Sequence, residues 1–115
     1  MIQKYEEGRP WGGFIRFTKS EPSTVKILTI KAGEAFSLQY HMNRNEYWFV
    51  LEGQAEVVIG DKQVTAAAGD EFFIEQKIKH RIKAVGGSVR VLEISFGDFD
   101  EADIVRLEDN YGRVS

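Results

Sequence analysis

The sequence predicts an all-β domain, either a sandwich or a small barrel. Stretches of five to eight residues such as VKILTI and QAEVVIG have the composition and alternation of strands. Turn signals separate these stretches at roughly ten-residue intervals. The chain of 115 residues is sized for one domain, spanning 1–115, with a core that needs no disulfide staples.

The elements follow in order. In YEEGRPWGGFIRF, Pro10 and two glycines enforce a bend before the short strand FIRF, with Trp11 expected to pack beside it. EPST reads as a loop and VKILTI as a strand. KAGE turns into GEAFSLQYHMNRNEYWFVLEG, bounded by Gly33 and Gly53, where tight turns favour a residue without Cβ. If its two strands, on either side of MNRN, pair back on each other, Glu46 returns toward Gln39 and His41. QAEVVIG and QVTA flank a Gly-Asp-Lys hairpin signal. Gly69-Asp70 leads to EFFIE, the loop QKIK, and the strands HRIKAV and SVRVLEISF on either side of Gly86-Gly87. The tail, DFDEADIVRLEDNYGRVS, changes character. Asp98 or Asp100 could cap a short helix there, with Gly112 beyond its end. The tail is expected to be separable from the barrel.

Composition narrows the function. The chain has no cysteine, so disulfides and thiolate metal sites are ruled out, and a cytoplasmic setting is compatible. A net charge of −3 argues against nonspecific nucleic-acid binding, which calls for a basic face. No window approaches the roughly 20 apolar residues of a membrane span, and the N-terminus lacks the apolar stretch of a signal peptide.

Chemistry concentrates between Gly33 and Gly53. Gln39 and His41 lie two apart, so an extended strand projects both from one face. Glu46 opens the next strand and could return a carboxylate to the same pocket. It precedes WFVL, where burial would be costly without a cation or hydrogen-bond partners.

A Gly, five residues, a ligand pair, then a Glu and a second Gly resembles the first motif of the cupin superfamily, with Gln39 in the place of its first His. A second cupin-like motif starts at Gly69. His80 falls in register there, while Glu75, Lys77 and Ala84 stand where Pro, Gly and Asn are common. The chain's two histidines thus occupy the two motif positions. The resemblance implies a metal set of Gln39, His41, Glu46 and His80. It also implies a cupin fold, a double-stranded β-helix or jelly-roll barrel with a short C-terminal helix or tail. Three neutral donors and one carboxylate suit one divalent transition ion, zinc first, with manganese, iron, nickel or cobalt as alternatives.

RPWG, SLQYH, Trp48, His80-Arg81 and DIVRLEDNYGR together narrow the likeness. From Arg9 to Arg113 the chain resembles the C-terminal cupin domain of type II mannose-6-phosphate isomerases, often fused to a guanylyltransferase. That family also uses Gln at the first ligand place, whereas Met42-Asn43 replace its further histidines. The resemblance implies interconversion of mannose 6-phosphate and fructose 6-phosphate, a phosphorylated-sugar partner and, from the superfamily, a homodimer. No nucleotide chemistry is expected.

Isomerisation needs a base near C2 and a grip on phosphate. Glu93 lies among apolar residues that would raise its pKa, although alternation leaves open whether Glu93 or Leu92 and Ile94 face inward. Arg106 and Arg113 are the phosphate candidates by resemblance. Arg81 is a further candidate, although a regular strand turns it away from His80, and Tyr111 is a possible substrate contact. A noncatalytic sugar-binding or sensor cupin and a small cupin dioxygenase are the competing readings.

Overall fold

The computed structural model describes residues 4–109 and 111–112, and every regular element among them is a strand. They run β1 (Tyr5–Arg9), β2 (Gly12–Arg16), β3 (Ser23–Ile30), β4 (Leu38–Tyr40), β5 (Asn45–Glu52), β6 (Gln54–Ile59), β7 (Lys62–Ala67), β8 (Glu71–Ile74), β9 (His80–Ala84), β10 (Val89–Phe96) and β11 (Val105–Glu108). Among the described residues no helix is long and apolar enough to cross a membrane.

β1 and β2 form a separate hairpin; the other strands make two sheets, ordered β3-β10-β5-β8 and β11-β4-β9-β6-β7. Alternation turns Trp48, Val50, Ile74 and Val91 of the first sheet toward Val57, Ile82 and Ala84 of the second, in one core. Each buried Val or Ile contributes about 1.5–3 kcal/mol relative to exposure. Along this inner face the chemistry changes. Val91 lies opposite Val50, Glu93 opposite Trp48, and Ser95 opposite Glu46. The interior is therefore apolar over part of its length and polar at one end. The same register settles the facing of β10: Glu93 turns inward, and Ile94 pairs with Tyr47 on the other face.

Several expectations are corrected. β4 and β5 do not pair with each other; MNRN carries the chain from one sheet to the other, so Glu46 meets His41 across the interior. Trp11 is 71% exposed at the tip of the β1–β2 hairpin rather than packed. No helix forms in the described part of the tail. Asp100 Oδ1 accepts from Ala102 N at 2.9 Å, a cap-like contact that closes a turn, and β11 then pairs along β4. The free edge of β4 supplies backbone partners that a four-residue helical turn would leave unmet. The tail is consequently part of the second sheet and not an appendage.

Two backbone positions constrain the loops. Gly53 has φ +89°, and a Cβ there would lie 2.4 Å from the Ser88 carbonyl oxygen, so only glycine fits. Lys77 holds φ 70°, the left-handed conformation expected of the glycine it replaces, and its amide donates to the His41 carbonyl at 2.6 Å. The loop after β8 is thereby tied to the residue following β4.

Candidate metal centre

His41, Glu46 and His80 converge at the polar end of the interior, each nearly inaccessible to solvent. Their ligand atoms all lie within 4.8 Å of one another. Glu46 Oε1 is 3.3 Å from His80 Nε2 and 3.5 Å from His41 Nε2. His41 Nδ1 donates to the Asp103 carbonyl at 2.6 Å, and His80 Nδ1 to the Ile78 carbonyl at 2.9 Å. With both protons committed to backbone oxygens, the two Nε2 atoms present lone pairs to the carboxylate. Three electron-rich atoms facing one another repel unless a cation or proton lies between them. Glu46 Oε1 and His80 Nε2 are indeed buried without a hydrogen-bond partner. The donor set and its tautomers therefore fit a divalent transition ion.

The other oxygen of Glu46 has a different task. Oε2 accepts from Arg44 Nε at 3.2 Å and Ser95 Oγ at 3.1 Å, which fixes the carboxylate's orientation. Burial works to raise the Glu46 pKa; imidazoles that carry a second proton on Nε2 outweigh it and hold the group well below the usual carboxylate range, and a cation between the three groups would act in the same direction. Arg44 also donates to His41 Nε2 and to the Asp100 carbonyl, each at 3.2 Å. An arriving ion must take over the His41 lone pair from this guanidinium.

Gln39 shares the face of its register partner His80. Its Oε1 accepts from Ser37 Oγ at 2.6 Å, leaving Nε2 3.5 Å from His41 Nε2. To ligate through oxygen, the amide must rotate, and the Ser37 hydroxyl can then accept from Nε2. Glu93 lies buried beside this group, with Trp48 Nε1 donating to its Oε2 at 3.2 Å. Burial, assisted by the Glu46 charge, pushes the Glu93 carboxyl up.

Arg106 is paired in register with Gln39 and so sits on the same face, its Nε buried without a partner. Arg81 is on the opposite face of β9 from His80, 3.6 Å from Glu108. Tyr111 is not brought to the metal group: its hydroxyl donates to Glu34, beside an open cavity of about 410 Å³ lined also by Lys31 and Phe36. Arg113 lies outside the described residues. Sequence reasoning missed Ser37, Arg44, Ser95 and Asp103. Arg44 alone carried a signal, since it lies two residues from Glu46 as Gln39 lies two from His41.

Two facing antiparallel sheets around a buried His–Glu–His group define a cupin-type barrel. Residues 2–109 match the family model described as mannose-6-phosphate isomerase C-terminal, and the chain belongs to that family. It is 37% identical over 108 residues to xanthan biosynthesis protein XanB of Xanthomonas campestris pv. campestris, covering 92% of this chain and 23% of that protein. It is 35% identical over 112 residues to mannose-1-phosphate guanylyltransferase 2 of Escherichia coli O157:H7, covering 96% of this chain and 23% of that protein. The chain thus spans about a quarter of the length of these curated relatives. A cupin protein from Bacteroides fragilis superposes with a TM-score of 0.61 at 20% identity, over 73% of this chain and 74% of that one, a likeness of fold alone.

Proposed function

We propose that this domain is a metal-dependent aldose–ketose isomerase that interconverts mannose 6-phosphate and fructose 6-phosphate, or a closely related phosphorylated sugar. The observation carrying this reading is the buried His41–Glu46–His80 group, whose ligand atoms converge with Glu46 Oε1 and His80 Nε2 unpartnered, beside a buried carboxyl, within a family described by that isomerase. His41, Glu46 and His80 would hold the ion, zinc first, and Gln39 would join after its amide rotates. Once bound, the ion supplies Lewis-acid polarisation of the sugar's carbonyl and hydroxyl oxygens.

The chain's own residues account for the rest. Glu93 takes the proton from C2 of the aldose and returns it to C1. A second proton passes from the C2 hydroxyl to the C1 carbonyl oxygen through the enediol. A carboxyl whose pKa is raised by burial suits both the taking and the returning of a proton. Trp48 orients Glu93 through its indole N–H and, with Phe36 packed edge-on against it, lines the interior beneath the site. Arg106, sharing the face of Gln39, offers a guanidinium to the phosphate. The domain acts in the cytoplasm as a homodimer.

A coupled assay for mannose 6-phosphate isomerisation on metal-loaded protein is the test. Turnover should require the ion, and Glu46→Gln should abolish it. Arg106→Ala removes a charge-assisted contact worth about 1.5–3 kcal/mol, roughly a ten- to hundredfold loss of kcat/KM, with metal content unchanged. Bound metal without turnover on any phosphorylated aldose would instead make the domain a noncatalytic sugar-binding cupin.

A further inference from the structure

One residue of the tail, Asp103, makes three hydrogen bonds to the His41–Asn43 segment. The Asp103 carbonyl accepts His41 Nδ1–H. Its two carboxylate oxygens accept separate amides, Met42 N at 2.9 Å and Asn43 N at 3.0 Å. Asp103 is itself held by a tight turn, its amide donating to the Asp100 carbonyl at 3.0 Å, and Ile104 N to the Ala102 carbonyl at 2.9 Å. That turn is fixed from both sides. Arg44 donates to the Asp100 carbonyl, and β11 begins two residues after Asp103 and pairs along β4, the strand that carries Gln39.

We infer that Asp103 is a positioning residue for the metal centre. Its carboxylate fixes the His41–Asn43 backbone so that its carbonyl meets Nδ1–H, leaving Nε2 as the lone pair aimed at Glu46. The inference rests on the metal-centre reading, because a tautomer chosen this way matters most when Nε2 is a ligand. The contrast with His80 gives it specificity: that imidazole is anchored by Ile78, in its own loop, and among the described residues its Nδ1 takes no partner from the tail.

The test compares the parent with Asp103→Ala, Asp103→Asn and Glu101→Ala, the last on the same turn but paired at the surface with Lys26. Cobalt(II) affinity, read by competition with a chromophoric chelator, should fall about 10- to 100-fold in Asp103→Ala, as for loss of other outer-sphere anchors. Asp103→Asn keeps one oxygen acceptor and should fall in between, whereas Glu101→Ala should match the parent. Imidazole nitrogen-15 NMR of the metal-free protein supplies a readout that general loosening would not give. In Asp103→Ala, His41 should lose its single Nδ1–H tautomer while His80 keeps it. Should Asp103→Ala fail to fold, Asp103→Asn carries the same comparison. Parent-like affinity and an unchanged His41 spectrum in a folded variant would overturn the inference. If the parent binds no cobalt(II), the metal-centre reading fails, and the tautomer comparison still decides the role of Asp103.

Discussion

Two buried carboxylates on one inner face experience opposite fields. Glu46 accepts from the Arg44 guanidinium and the Ser95 hydroxyl, which support its anion, whereas Glu93 has an indole N–H for direct support and the Glu46 charge nearby. Because the folded-state pKa of Glu93 is raised above the ordinary 4.5, its contribution to stability is complete below that value and is lost as pH rises through the folded pKa. Glu93→Gln retains an oxygen acceptor for Trp48 and removes the charge. In chelator-treated protein the variant should melt above the parent at neutral pH, and the gap should close as the pH falls toward 4.5. A lower melting temperature for Glu93→Gln at neutral pH would show that the ionised carboxylate is already compensated. Glu46 has the opposite sign: its contribution is present above 4.5 and lost on acidification through its depressed pKa.

At the scale of elements, the loop between β8 and β9 keeps a glycine conformation with a lysine in it. A left-handed L-residue costs roughly 1–2 kcal/mol, and glycine's larger unfolded-state entropy offsets part of any relief. Lys77→Gly should therefore stabilise the protein by about 1 kcal/mol, read as a higher urea midpoint at an unchanged slope. A midpoint at or below the parent's would mean that Lys77 makes a compensating contact. That Lys77 stands in a glycine place was legible in the sequence, because the loop's register was anchored by Gly69 and His80; that the backbone keeps the glycine's φ was not, since a lysine disfavours it. Most strands were also legible, since VKILTI alternates, EYWFVL is a short aromatic and β-branched run, and VRVLEISF is partly alternating, each bounded by turn residues. The tail was not. DIVRLEDN is short enough to suit a helix or a strand, and the free edge of β4 decided between them, which no local pattern records. The same limit hid Asp103 and Ser95, whose partners lie 62 and 49 residues away. It also hid the separation of β4 from β5, because adjacency in sequence favours pairing and says nothing of which sheet a strand joins.

For the whole molecule, an ion held by His41, Glu46 and His80 would cross-link the two sheets. β5 supplies Glu46, β9 supplies His80, and His41 follows directly on β4, so ligands come from both sheets. A ligand that binds only the folded state stabilises it by about 2.7 kcal/mol at a free concentration 100 times Kd. Chelation should lower the melting temperature of the parent, whereas His80→Ala should melt at the same temperature with or without chelator. Equal melting of the loaded and chelated parent would mean that no ion joins the sheets.

The two imidazole anchors differ most in how far they are from their histidines along the chain. His80 finds its acceptor two residues back, a contact available as soon as the loop forms, while His41 waits for a carbonyl 62 residues onward. Closing the longer span costs more entropy and depends on the tail having docked. One imidazole is therefore oriented early in refolding and the other late. When denatured protein is diluted into buffer with cobalt(II), fluorescence of the buried Trp48 should report the collapsed barrel first. The d–d absorption of protein-bound cobalt should follow it, at a rate that excess metal does not accelerate.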